Sequence, residues 1–73
     1  RKFLLPGASP VAGSTLAQVD LRQRYDVTVL AIRRGTEMIA NPGGNEHLLP
    51  DDELILMGLP EKLDAVVAAF RAS

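Results

Sequence analysis

The chain has 73 residues, enough for one domain and little more. Its 47% apolar content excludes a disordered segment, and a net charge of −1, from 8 interspersed basic and 9 acidic side chains, lacks the basic stripe that a nucleic acid polymer would need. There is no cysteine for a disulfide or thiolate metal site, one histidine, too few for an all-histidine zinc site, and only 4% aromatic residues to stack bases.

A core built from so short a chain is marginal, so self-association is the available source of further burial. No apolar run approaches the ~20 residues that span a bilayer. No signal peptide is visible. The sequence opens on Arg1-Lys2-Phe3 instead of methionine. Residues 1–73 are read as a single domain excised from a larger protein.

In chain order, Lys2 to Leu5 reads as a short strand closed by Pro6, and GASPVAG as a loop. Thr15 and Gln18 match a capping box that opens a helix. Leu16 and Val19 share a helical face, but Leu21 breaks the period, and Asp20 with Gln23 offers a second box. The spacing predicts a helix from Thr15 to about Val19, a kink at Asp20, and a short helix to Arg24 or Tyr25. VTVLAIRR, from Val27, is a β-branched strand whose near-continuous apolar run predicts burial on both faces. Gly35-Thr36 makes a hairpin turn, EMIANP is the return strand, and Pro42 ends it. A loop follows, with a turn at Pro50-Asp51. Glu53 to Met57 is the last strand. Pro60 starts the closing helix, whose buried stripe is Leu63, Val66, Val67 and Phe70. The expected fold is α+β: a small, mostly antiparallel sheet of about four strands with helices on one face, in the order β-α(kinked)-β-β-β-α, forming a dimer.

Strand alternation puts Arg33 and Arg34 on opposite faces, Arg34 with Thr28, Leu30 and Ile32, and Arg33 with Val27, Val29 and Ala31. In one reading, one caps the turn in solvent and the other pairs with Glu37 across the hairpin. In the other, the one on the face turned to a partner subunit lines a cleft between subunits, where a guanidinium holds a phosphate through two hydrogen bonds. The reading favours Arg34 for the cleft and leaves Arg33 open. Asp51, Asp52 and Glu53 read as a solvated turn cluster, with a divalent-cation site as the minor alternative. No nucleophile elbow, metalloprotease motif or P-loop is present, and the domain is read as non-enzymatic.

Four segments in order, GSTLAQVDLR, VLAIRRG, LLPDDELILMG and the helix straight after, resemble the C-terminal subdomain of the RCK (regulator of conductance of potassium) family, also called TrkA-C. The likeness runs from about Val11 to Phe70. It implies a dimeric regulatory module on the cytoplasmic face of the membrane, attached to a potassium channel, an uptake system or a cation/proton antiporter. The loop LPGASPVAG and the AIRRG strand end resemble copies attached to antiporters. The resemblance also implies a possible regulatory nucleotide, cyclic di-AMP, at the dimer interface, with no other cofactor. Leu30 and Ile32 would then contact bases, Arg33 or Arg34 a phosphate, Asn41 an adenine edge, and His47 phosphate or base; read from the residues alone, Asn41-Pro42 is turn chemistry and His47 a solvated loop residue. The alternative is a structural dimerisation module with no ligand of its own.

Overall fold

The computed structural model describes residues 1–71. The elements are β1 (Lys2–Leu4), α1 (Leu16–Val19), α2 (Leu21–Tyr25), β2 (Thr28–Arg34), β3 (Glu37–Ala40), β4 (Glu53–Met57) and α3 (Pro60–Arg71). The four strands form one antiparallel sheet in the order β1-β4-β2-β3. This is the expected α+β architecture, with the expected element order.

The local signals explain most boundaries. Thr15 accepts from the Gln18 amide at 3.2 Å and the Gln18 side chain accepts from the Thr15 amide at 2.8 Å, so the first capping box forms. The next two amides of α1, on Leu16 and Ala17, donate to the carbonyls of Glu46 and Gly44, both at 3.0 Å. The loop after β3 therefore satisfies donors that a helix start leaves open. The kink falls at Asp20, as the pattern predicts. Its cause differs: Asp20 sits in the left-handed region with φ 54°, ends α1 and starts α2, and its side chain makes no cap hydrogen bond. The second capping box therefore does not form. Gly35, with φ 62°, takes the first hairpin position that needs a positive φ. Leu49 to Asp52 close a turn by an amide-to-carbonyl bond of 3.2 Å, with Pro50 second and Asp51, φ 69°, third, as a type II turn requires.

Phe3, Leu54, Leu56 and Ile32 point to one face of the sheet and meet Val19 and Leu21 of the first helices and Val66, Val67 and Phe70 of α3. Leu63 of the predicted stripe is half-buried and packs against this core. The Phe3 and Phe70 rings are 6.3 Å apart and tilted, a favourable aromatic geometry. All helices thus cover the same face.

β2 departs from the simple alternation. Val29 opposes Leu56 and Ala31 opposes Ile55, so Leu30 is the extra residue of a β-bulge. Faces therefore change across it. Val29, Ile32 and Arg34 lie on the helix side, while Thr28, Ala31 and Arg33 lie on the other. The expected grouping of Arg34 with Thr28, and of Arg33 with Val29, is corrected by this one inserted residue. Burial of β2 on both faces is corrected too: within one chain only the helix side is covered.

Candidate functional site

Two groupings of polar side chains stand out, one at each end of β2. At its start, a cleft of about 230 Å³ opens between the kinked helices, the first residues of β2 and the chain leaving β3. Leu16, Leu21, Val27 and Val29 give it apolar walls, and Asp20, Arg22, Thr28 and Asn41 bring polar groups. The local structure places them. Arg22, two residues past the left-handed Asp20, lines the cleft in the first turn of α2. Asn41, with φ 49°, donates its amide to the Leu30 carbonyl at 2.8 Å and so turns the chain out of the hairpin at the bulge. Gly44 forms part of the wall, where a Cβ would lie 3.2 Å from the Ala17 Cβ. The volume is below the ~300–1,000 Å³ that takes a drug-sized ligand, and suits one flat ring or one small polar group.

At the other end, Arg34 is locked into the protein. Its Nε donates to Asp52 Oδ1 at 2.9 Å and its Nη2 to Asp52 Oδ2 at 2.8 Å, a bidentate pair. Nη2 also donates to the His47 carbonyl at 3.0 Å, and Nη1 lies 3.5 Å from Glu46 Oε2. Asp52 is 1% exposed and accepts from the Leu49 amide at 3.0 Å. Burial pushes the Asp52 carboxyl up, but the Arg34 guanidinium and the Leu49 amide outweigh it, and the net value falls below the ordinary 3.8. The hydrogen bond to Asp52, against some desolvation, holds Arg34 charged at every accessible pH.

The predicted site residues separate on this geometry. Asn41 lines the cleft and Leu30, exposed at the bulge, is bonded to it through the backbone. Ile32, expected at a base, is fully buried in the core and offers no surface to one. Arg34, favoured for the subunit cleft, spends its donors on Asp52 and the His47 carbonyl. It makes no pair with Glu37, and its side chain stays 29% exposed. Arg33 is the freer of the two, its side chain 58% exposed, with Glu53 at 4.0 Å. His47 bridges Thr15 through its backbone and keeps its ring at the surface. In the acidic run, Asp52 is not a solvated turn residue but the buried anchor of Arg34. Among the described residues, no group of three or more His, Cys, Asp or Glu side chains is placed to hold a metal ion. Sequence reasoning missed Arg22, Thr28 and Asp20, because only the kink brings them to one opening.

Known proteins give this geometry a family. The K(+)/H(+) antiporter subunit KhtT of Bacillus subtilis is 39% identical over 59 residues, which is 80% of this chain and 36% of that protein. The chain thus spans about a third of this relative. A solved RCK C domain of the potassium transport protein KtrA, in complex with cyclic diadenosine monophosphate, is 30% identical with a TM-score of 0.81, over 92% of this chain and 79% of that one. The RCK_C domain dimer of Streptococcus agalactiae BusR, in complex with c-di-AMP, has a TM-score of 0.89 over 96% of this chain and 86% of that one, and at 16% identity it shares the fold. The family model for the TrkA-C domain matches residues 2–71, and with the four-stranded sheet, the kinked helices and these likenesses, the chain belongs to the TrkA-C domain family.

Proposed function

We propose that this chain is a regulatory module of a cation-transport system, acting as a dimer that senses a small ligand, with cyclic di-AMP the first candidate. The observation that carries the reading is the cleft at the start of β2, where Asn41 and Thr28 bring hydrogen-bonding groups to apolar walls and Arg22 brings a cation. Such a mix suits a base with an attached phosphate. An amide both donates and accepts, as an adenine edge requires, and a guanidinium grips phosphate oxygens in pairs. One cleft takes half of a symmetric dinucleotide, so two copies related by a two-fold would take the whole. The relatives supply the context: a potassium/proton antiporter subunit, and a potassium transport domain that binds this nucleotide. Leu30 gives an apolar contact beside Asn41. Arg34 and His47 hold the loop that ends at the cleft wall, and Ile32 acts through the core. The action is a shift between dimer geometries, as large as the ligand's preference between them. The module sits on the cytoplasmic side, tethered to a membrane-embedded transporter or channel.

The test is an amide NMR titration with cyclic di-AMP. Saturable shifts at Thr28, Leu30, Asn41 and Gly44 are expected, with Asn41→Ala weakening affinity about tenfold, the loss of one well-made hydrogen bond. A spectrum unchanged at millimolar nucleotide, from a protein that tumbles as a dimer, would favour the structural module instead.

A further inference from the structure

The cleft at the start of β2 is lined by four polar side chains of different hydrogen-bonding character. Asn41 brings an amide and Thr28 a hydroxyl, and each donates or accepts. Arg22 donates only, and Asp20, as a carboxylate, accepts only. The first two adapt to whatever edge they meet: an amide that accepts from an amino group turns over to donate to a carbonyl. Only Arg22 and Asp20 impose a polarity. Arg22 suits phosphate oxygens, which a carboxylate repels. Asp20 therefore decides which end of a nucleotide can lie against it, the base and not the phosphate.

The fold gives the Asp20 side chain no task of its own. Its backbone ends α1, the amide donating to the Leu16 carbonyl at 2.9 Å, but its carboxylate makes no cap hydrogen bond for α2. The ion pairs found among the described residues use other acids, Asp64, Glu53, Glu46 and Asp52. The hydrogen bonds to carboxylates go to Asp64 and Asp52. Its φ of 54° is a conformation that glycine takes freely and other residues take at a cost. Among the described residues, Asp26, Asn41 and Asp51 share this trait. Asp51 is the third residue of the Pro50 turn, and Asp26 closes α2 through its amide. Asp20 and Asn41, from opposite walls, bring their side chains to one opening. A left-handed, unpaired carboxylate at a cleft is strain kept where a ligand can use it.

We propose that Asp20 is the specificity-determining residue of the cleft: it accepts from the exocyclic amine of an aminopurine base and rejects a base that carries a carbonyl at that position. The inference rests on the nucleotide-sensing reading above and adds the residue that chooses the base. An exocyclic amine has two N–H groups, and the Asn41 amide oxygen and one Asp20 oxygen take one each. A carbonyl there sets its lone pairs against the carboxylate, with no proton between them. Calorimetric titration with cyclic di-AMP and with cyclic di-IMP, which has an oxo group in place of each amine, tests this. The unaltered chain should favour cyclic di-AMP by about tenfold or more, the worth of a hydrogen bond to a charged group. Asp20→Asn tolerates the same backbone, removes the charge and adds a donor, so it should bind cyclic di-IMP better and narrow the preference to about threefold or less. Asp20→Gly relieves the left-handed strain and should narrow it too, so that a variant at least as stable as the unaltered chain is less selective. A merely structural role would not separate the two readouts in this way. A preference that both variants keep, or an unaltered chain that binds the two nucleotides alike, would overturn the role of Asp20 and leave the nucleotide reading intact. An unaltered chain that binds neither would overturn both.

Discussion

Arg34 and Asp52 set the stakes at single residues. A buried carboxylate left without its cation is among the costliest defects a domain can carry. Arg34→Ala should therefore lower stability by about 3–5 kcal/mol, read as a fall in urea midpoint at unchanged slope. Replacing both partners by apolar residues, Arg34→Met with Asp52→Leu, should cost much less, because no charge is then stranded. A near-equal loss in the two variants would mean that packing outweighs charge here. The pair also predicts an acid limb. The folded Asp52 carboxyl lies below its ordinary 3.8, so its contribution is fully present above the unfolded value and is lost as pH falls through the folded one. Stability should drop below about pH 4, and Asp52→Asn should be less stable at neutrality but flatter on that limb. Little of this was legible beforehand. Arg34 and Asp52 are 18 positions apart, and nothing local marks an acid beside Pro50 as buried.

Among the elements, the legible parts were those whose cause is local. The Thr15–Gln18 box, the Gly35 turn, the Pro50 turn and Pro60 at the start of α3 each depend on a few adjacent residues, and each stands where its signal lies. Thr15→Ala should cost about 1 kcal/mol, and more of that loss should fall on the Leu16 and Gln18 amides in hydrogen exchange than on α3. Asp20 was legible as a break but not as a left-handed residue. Its φ of 54° costs a non-glycine side chain about 1 kcal/mol, and the carboxylate recovers none of it through a cap bond. Asp20→Gly should accordingly raise the thermal midpoint, whereas Asp20→Ala should lower it. If both lower it, the carboxylate has a role at the cleft that outweighs the strain. The bulge at Leu30 left no local trace, since an inserted residue is defined by the strand it pairs with. That single event decided which arginine faces the helices.

For the whole molecule, the two halves of the functional reading were not equally readable. The family's fold followed from the order of its segments, while the cleft drew on Arg22, Thr28 and Asn41, which only the kinked helices and the bulge bring together. The opposite side of the sheet was half-legible: the unbroken apolar run of β2 called for cover that a single chain does not supply. This has a thermodynamic consequence separate from any ligand. A chain of 73 residues that pairs with its own copy draws stability from association. Its unfolding midpoint should then rise with protein concentration, each tenfold increase adding about 1.4 kcal/mol to the apparent stability of the dimer. A midpoint flat with concentration in the unaltered chain would mean that the 12 buried apolar side chains found among the described residues of one copy suffice by themselves, and that the bare face is held open for something other than its twin.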